Sequence, residues 1–294
     1  MRSTFLEARE LLRGVASRSD RIFVISKGKA LLGRGVAHTS LIGVNQGQWA
    51  DVFNTVWDSS AIAVARSPTP KVVLVGEDGD VATWGAKGEE AESIQPTPIA
   101  IRNAQTIDGL VYACGMKRQV FCRVDEGVWR DMSAPMVSAT DSAGFEDIDG
   151  YSGHEIYAAG WKGEVWQYGG TNWTSHGSLT SVILTSVCCA PDGLVYIAGQ
   201  QGVMLRGRNA VWELVRWNEP ATVDFWDLCW FQDSLYVATT TGMFRLSGND
   251  LIAVDFGAAG PLTCYNLSTA EGVLWSIGHQ DVASFDGTRW RRYD

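Results

Sequence analysis

One short motif, an aromatic residue followed by two small or apolar residues and a glycine, recurs along almost the whole chain. Clear copies span 112–115, 157–160, 196–199 and 275–278, and weaker copies span 23–26, 73–76 and 236–239. The copies follow one another at steps of 39 to 50 residues, and seven copies in 294 residues average 42 residues each. That is the length of a four-stranded propeller blade. The repeat therefore predicts an all-β fold, a seven-bladed β-propeller of four-stranded antiparallel blades.

The segment 154–173 shows how one repeat divides into strands and turns. Residues 156–159 form a short apolar strand, 160–163 a tight turn and 164–168 the next strand. Short apolar runs of this kind are typical of strands buried on both faces. A tryptophan follows the glycine of four copies by 12 to 14 residues, and this fixed spacing predicts a packing role near the blade rim. These residues are Trp129, Trp173, Trp212 and Trp290.

The repeat register predicts one propeller domain over 17–294. No Pro/Gly/Ser-rich linker, charge run or low-complexity block interrupts it. Residues 1–16 follow a different pattern, in which Thr4 and Glu7 have capping-box spacing and apolar residues share one helical face. We therefore predict a short N-terminal helix that plugs the propeller or packs on its side, with binding of a partner as the alternative role.

The first blade matches the repeat poorly. Residues 21–36 predict two strands with a turn at Lys27 and Gly28, and 40–52 an outer strand in which Trp49 replaces the missing rim tryptophan. The last blade is complete up to the C-terminal residue. Closure therefore does not require a strand shared between the termini, although the sequence leaves a shared strand open.

Several motifs resemble those of known repeat proteins. Residues 193–204 fit G-x-V/L-Y-x-A-G-x-x-G-x-V/M, 170–173 fit G-x-x-W, and 284–290 look like an Asp-box shortened by one residue. With these motifs the sequence resembles bacterial propellers of the Trp-Asp-repeat, BNR and photosystem-assembly-factor type. The Gly-His and terminal Trp-Asp pairs of eukaryotic repeats are not at their expected places. The resemblance implies an architecture and no particular activity.

Charge and cysteine content narrow the class of function. The formal net charge is −9, which argues against a nucleic-acid binder or a protein that binds anionic membranes, because both need a basic face. It suits a basic protein partner. The six cysteines show no C-x-x-C spacing, and buried reduced thiols in a cytoplasmic protein are the favoured interpretation. No apolar segment reaches the length of a membrane span.

Two sets of residues are the candidates for a functional site. Asp58, Asp147 and Asp227 occupy equivalent positions on predicted inner strands, where a propeller borders its central channel. The turns between the second and third strands would lie near the same end. Together these positions give Trp161, Lys162, Trp226, Asp227, Asp58, Asp147, His279, Gln200 and Gln201 as the predicted site. Carboxylates beside aromatic rings could bind a cation, a sugar or a partner, whereas the structural alternative is that the aspartates cap turn amides.

No catalytic signature accompanies these residues. The four histidines lack metal-ligand spacing, and the chain contains no G-x-S-x-G, P-loop or dinucleotide fingerprint. We therefore expect a non-enzymatic platform that binds another protein, is monomeric when free and needs no cofactor. Within that class, an immunity-type inhibitor of a basic toxin or enzyme fits the net acidity. The alternatives are a carbohydrate-binding propeller or sialidase-like glycosidase, and an assembly chaperone.

Overall fold

The computed structural model describes residues 4–136, 138, 140–216 and 223–293. Its strands form seven four-stranded antiparallel sheets, and within each sheet the strands neighbour one another in chain order. These sheets are the seven blades of a β-propeller, which confirms the fold class predicted from the repeat. The chain forms two compact units, of which unit 1 contains blades 1, 6 and 7 and unit 2 contains blades 2 to 5. The division into 1–16 and a single domain over 17–294 stays a prediction.

Unit 2 holds four consecutive blades. In each, the second strand is the most deeply buried, as the short apolar runs predict. Backbone contacts join the first strands of neighbouring blades, so the first strand is the inner one. The strands are β5 (Ser59–Ala65), β6 (Lys71–Gly76), β7 (Asp80–Gly85) and β8 (Gly88–Ser93); β9 (Ile101–Ile107), β10 (Leu110–Gly115), β11 (Val120–Asp125) and β12 (Val128–Asp131); β13 (Phe145–Ser152), β14 (Glu155–Gly160), β15 (Glu164–Tyr168) and β16 (Trp173–Ser178); and β17 (Leu184–Cys189), β18 (Val195–Gly199), β19 (Met204–Arg208) and β20 (Val211–Leu214).

Unit 1 holds the first blade and the last two. Two short helices precede and interrupt the first blade, α1 (Thr4–Glu7) and α2 (Lys29–Leu32). The strands are β1 (Arg9–Arg18), β2 (Arg21–Gly28), β3 (Thr39–Asn45) and β4 (Gln48–Thr55); β21 (Asp227–Phe231), β22 (Ser234–Ala238), β23 (Met243–Ser247) and β24 (Asp250–Ala253); and β25 (Asn266–Ala270), β26 (Val273–Ile277), β27 (Val282–Phe285) and β28 (Trp290–Tyr293).

The N-terminal helix is present but much shorter than the predicted range 1–16. It ends at Glu7, and β1 takes up the residues from Arg9 onward. The turn expected at Lys27 and Gly28 is also wrong, because β2 continues to Gly28 and a longer connection leads to β3. Both differences have one cause: blade 1 needs an inner strand, and pairing with β2 outweighs the local helical pattern of 9–16.

Blade 1 and blade 7 neighbour each other without sharing a strand. The backbone N–H of Gly14 on β1 donates to Oδ1 of Asn266 on β25 at 2.8 Å, and that of Ala16 donates to Oγ of Ser268 at 2.9 Å. Leu11 on β1 packs into one buried cluster with residues of blade 7. The backbone N–H of Leu11 also donates to the carbonyl oxygen of His279 at 3.0 Å. Blades 1 and 7 are therefore joined by side-chain contacts and one backbone hydrogen bond, and not by a mixed sheet.

The rim tryptophans pack as their spacing predicts. The ring centroid of Trp173 lies 5.7 Å from that of Phe145 and 5.5 Å from that of Tyr168. Trp290 stacks on Phe285 with a centroid distance of 4.8 Å. Each ring covers apolar surface at the outer part of its blade. None of the helices among the described residues is long and apolar enough to span a membrane.

Candidate functional site

Trp161 and Lys162 form the connection between β14 and β15 in blade 4. This connection is a single 3-10 turn, Trp161–Gly163, in which Lys162 has a φ of 59°. A Cβ on Gly163 would lie 2.1 Å from the carbonyl oxygen of Thr180, so only glycine fits the third position. The turn is therefore fixed by its glycine, and the side chain of Lys162 is 60% exposed.

The indole ring of Trp161 is half-buried and is held by a hydrogen bond. Its Nε1 donates to Oε1 of Glu146, 2.5 Å away on β13. The same Oε1 lies 3.4 Å from Nε of Arg102 on β9, and Nη1 of Arg102 lies 3.9 Å from Oε1 of Glu77. Because ionised groups fix the N–H edge of the ring, Trp161 is presented in one orientation.

A buried ion cluster lies beside Lys162. Nζ of Lys162 lies 3.0 Å from Oδ1 of Asp141, and the other oxygen of Asp141 accepts from Nη2 of Arg118 at 2.6 Å. Arg118 also makes two bonds to Glu164, of 2.7 and 2.8 Å. The backbone N–H of Ala143, together with Arg118 and Lys162, holds the pKa of Asp141 well below its usual range. Lys162 is the exposed member of this cluster.

Gln200 and Gln201 form the equivalent turn of blade 5. This 3-10 turn, Gln200–Gly202, again has a left-handed second residue, Gln201, with a φ of 56°. Gln201 is exposed, and its backbone N–H donates to Oδ1 of Asp224 at 2.9 Å. The two turns share their backbone shape, but the blade 5 turn carries neutral polar groups and no aromatic ring.

Asp147 is placed differently from its predicted role. It is only 3% exposed on β13. Its Oδ2 accepts from the backbone N–H of Val187 on β17 at 2.7 Å, and its Oδ1 accepts from the side-chain amide of Asn103 on β9 and from the backbone N–H of Ile148. The carboxylate thus links the inner strands of blades 3, 4 and 5. This is a structural role, but it differs from the capping of turn amides that the sequence left open.

Trp226 and His279 lie in unit 1, on either side of Tyr265. The ring centroids of Trp226 and Tyr265 are 5.2 Å apart, and those of Tyr265 and His279 are 4.9 Å apart. All three side chains are half-buried. A row of rings with apolar faces and polar edges suits the cationic or aromatic side chains of a protein partner.

Asp227 is used inside unit 1, in the same way as Asp147 in unit 2. Its Oδ2 accepts from the backbone N–H of Leu267 at 2.7 Å and from Nδ2 of Asn266 at 2.6 Å. Its Oδ1 accepts from the backbone N–H of Leu228 at 2.9 Å. The carboxylate therefore joins blades 6 and 7.

Asp58 follows blade 1 and forms an ion pair with Lys27 at 2.9 Å. Its Oδ1 also accepts from the backbone N–H of His38 at 2.9 Å. Partial burial favours a higher pKa for Asp58, but the bonds from Lys27 and His38 outweigh it and hold the pKa below its usual value. Asp58 keeps about half of its side chain exposed and stays ionised at neutral pH.

Two further candidate residues, Tyr265 and Glu146, were not predicted from the sequence. Both stand one position away from the aligned inner-strand column, since Tyr265 follows Cys264 and Glu146 precedes Asp147. Glu146 and Asp147 are neighbours on β13, so their side chains point to opposite sides of the strand and have different surroundings. The sequence signal that indicates both residues is their position directly next to an aligned inner-strand residue.

A metal site is not evident in the part of the chain that the structure describes. No cluster of three or more His, Cys, Asp or Glu side chains is arranged to bind a metal ion there. That the protein works without a cofactor stays a prediction.

Comparison with known proteins gives one relative over nearly the full length. No family model matches the chain. The immune protein Tsi7 of Pseudomonas aeruginosa is 38% identical over 296 residues, which cover 96% of this chain and 96% of that protein.

Solved structures support the fold alone. The WD40 β-propeller domain of Doa1 is similar with a TM-score of 0.69 and 10% identity, over 97% of this chain and 92% of that one. YCF48 bound to a D1 peptide has a TM-score of 0.69 and 14% identity, over 94% and 91%. Virginiamycin B lyase from Staphylococcus aureus has a TM-score of 0.65 and 11% identity, over 80% and 83%.

Proposed function

Because this chain belongs to the family of the immune protein Tsi7, we propose that it is an immunity-type protein that binds and inhibits one cognate toxin. Full-length similarity to an immune protein is the observation that carries the proposal. The proposed role is binding and not catalysis. The partner is the toxin itself, and this chain inhibits it by forming a stoichiometric complex.

The Trp161 turn supports the proposal as a contact surface. Aromatic side chains held rigidly in place contribute strongly to protein interfaces, because little conformational entropy is lost when the partner binds. Trp161 meets this description through its bond to Glu146, and the exposed ammonium group of Lys162 lies next to it. Gln200 and Gln201 offer neutral hydrogen-bonding groups on the following blade. Trp226, Tyr265 and His279 offer a second aromatic surface, in unit 1.

Charge supports a basic partner. Almost all of the excess negative charge of the chain falls in unit 2, which contains the Trp161 turn. An acidic surface accelerates the encounter with a basic protein and weakens that attraction as salt is added. We place the protein in the cytoplasm and as a monomer before it meets the toxin.

A capture experiment followed by a growth assay tests this function. The tagged chain is expressed in its native host, and the protein that co-elutes in equal amount is identified by mass spectrometry. That protein is then produced in a heterologous bacterium with and without this chain. We expect growth arrest by the partner alone and restored growth when both are present.

Two results would contradict the proposal. One is a partner that does not arrest growth, which would favour an assembly role. The other is the absence of any stoichiometric partner, after which titrations with sugars would follow. Capture at several salt concentrations distinguishes an interface dominated by charge from an apolar one. The affinity of the charged interface falls strongly as salt is added, whereas that of the apolar interface does not.

A further inference from the structure

The connection between the second and third strands of blade 1 is much longer than its six counterparts. It spans 29–38, ten residues, whereas the other blades join the same two strands with three or four. It begins with α2 and leads to β3 at Thr39. Since the short turns complete the same hairpin, the fold does not require the additional residues, which we call the blade 1 loop.

The base of the blade 1 loop is fixed by His38. The backbone N–H of Gly28 donates to Nε2 of His38 at 2.8 Å, which leaves Nδ1 to carry the proton and donate to the carbonyl oxygen of Val36 at 2.7 Å. The backbone N–H of His38 donates to Asp58. One ring nitrogen of the buried His38 thus binds the residue that precedes the loop, and the other binds a residue near the end of the loop. The loop is built to keep one shape.

The same loop exposes apolar side chains. The backbone N–H of Val36 donates to the carbonyl oxygen of Leu31 at 3.2 Å, and the two residues are 46% and 38% exposed. Thr39 pairs with Thr55 in the sheet, so Val56, which is 88% exposed, follows directly beside the loop. Burying such a side chain against a partner is favourable, because it removes apolar surface from water. An ordered loop with this exposure is typical of an interaction site.

The loop is also positively charged, in contrast to the chain as a whole. Lys29 and Arg34 are its charged residues, and it contains no carboxylate. Nζ of Lys29 donates to the backbone carbonyl of Glu7 at 2.8 Å, which neutralises no charge. Arg34 is exposed and has no ion-pair partner among the described residues. A segment that covers this loop must therefore combine apolar side chains with carboxylates.

We propose that the blade 1 loop is a docking surface for an apolar, carboxylate-bearing segment of the toxin. This inference rests on the proposed function, and it adds to the Trp161 turn a second contact surface that recognises the opposite charge. The sign of its charge is opposite to that of unit 2. A toxin that satisfies both surfaces needs a basic region for one and an acidic region for the other, which selects one partner against others.

The test measures the affinity of the purified toxin, once identified, for variants of the full chain. The double variant Leu31→Ser with Val36→Ser removes the apolar contact, and Arg34→Glu reverses the charge. We expect each to weaken binding about tenfold or more. Val211→Ser on β20, which removes another exposed valine, and Arg130→Glu on β12 are the matched controls, and both should bind as the wild type does.

The outcomes separate the inference from the proposed function. If the wild type and both loop variants bind equally well, the docking surface is overturned while the immunity function stands. If the wild type binds no toxin, the proposed function fails first. Restoration of the Arg34→Glu complex by an Asp→Arg or Glu→Arg change on the toxin would identify the facing carboxylate. A wild type that dimerises, and loses that dimer in the double variant, would make the loop a self-contact and overturn the proposal.

Discussion

Oδ2 of Asp147 accepts a hydrogen bond from the backbone N–H of Val187, 2.7 Å away on the inner strand of the next blade. The same side chain accepts from Asn103 on the blade before it. One aspartate therefore satisfies polar groups on three inner strands at once. Asp227 does the same between blades 6 and 7, through Leu267 and Asn266.

We expect Asp147→Ala to destabilise the fold and to leave toxin binding by the folded protein unchanged. The substitution removes the acceptor of the buried N–H of Val187 and the bond from the side-chain amide of Asn103, at a cost of about 2–4 kcal/mol in the free energy of unfolding. Urea denaturation measures this. Asp78→Ala, at an exposed position of blade 2, should change stability by less than about 0.5 kcal/mol. Equal effects for both would show that the Asp147 bonds contribute little.

Trp161 and Trp173 should respond in opposite ways to replacement by alanine. Trp161→Ala should reduce the affinity for the toxin roughly 30-fold, equivalent to about 2 kcal/mol, with little effect on the melting temperature. Trp173→Ala should lower the free energy of unfolding by about 3 kcal/mol, because its ring packs on Phe145 and Tyr168. Calorimetric titration and thermal melting of both variants separate the two roles. A stable Trp161→Ala variant with unchanged affinity would remove the Trp161 turn from the interface.

The ion cluster around Arg118 should make the free energy of unfolding depend on pH in the acidic range. The bond from Arg118 to Glu164 outweighs the burial of Glu164 and keeps its pKa below the usual value, as the pKa of Asp141 is kept. Carboxyl groups with a lowered pKa stabilise the folded state above their unfolded pKa and lose that contribution as the pH falls. Arg118→Met should therefore cost about 3–5 kcal/mol at neutral pH and less near pH 3. A cost that is the same at both values would contradict this.

Asp149 should affect stability in the opposite direction, so that the free energy of unfolding falls as the pH rises towards neutral. Its carboxyl group is desolvated, although the residue as a whole is partly exposed, and this burial raises its pKa to about 7 despite the bonds it accepts from Cys189 and Gly150. A raised pKa means that the folded state holds the proton more tightly. The wild type should therefore lose stability relative to Asp149→Asn as the pH rises from about 5 through 7. Paired urea titrations at several pH values measure the difference, and a constant difference would refute the assignment.

Gly14 should be required where blades 1 and 7 meet. A Cβ at this position would lie 2.9 Å from the carbonyl oxygen of Phe23 and 3.0 Å from Cγ1 of Ile277. Gly14→Ala should lower the free energy of unfolding by about 1–3 kcal/mol through overpacking. Gly169→Ala serves as the control, because no atom lies within 4 Å of its added Cβ. Similar losses for both glycines would show that the close packing at this junction is not what makes Gly14 necessary.

The repeat predicted the blades well because it records a requirement of packing. Each second strand is buried on both faces, so its apolar run appears in the sequence regardless of what the blade binds. The helix predicted over 9–16 was wrong because a local helical pattern carries no information about pairing with β2. Blade 1 was outlined poorly because its long connection at 29–38 hides the spacing on which the repeat depends.

The candidate site was predictable only in part. Trp161 is a candidate on sequence grounds because a large ring at the tip of a tight turn is difficult to bury, and its role in binding stays a prediction. That Asp147 and Asp227 serve the neighbouring blade could not be read from the sequence, since it depends on how close the inner strands approach. Tyr265 has no repeat signature of its own and becomes significant only through its neighbours Trp226 and His279.

The absence of a strand shared between the first and last blades has a consequence for how the chain folds. Each sheet is a run of consecutive hairpins, from β1–β4 to β25–β28, so every strand finds its partners within a short stretch of sequence. Such local pairings form quickly and can be completed while the rest of the chain is still being synthesised. The contact between Gly14 and Asn266 joins distant parts of the sequence and must wait for the last blade. We expect a ribosome-bound chain that lacks blade 7 to contain formed blades and an unprotected β1.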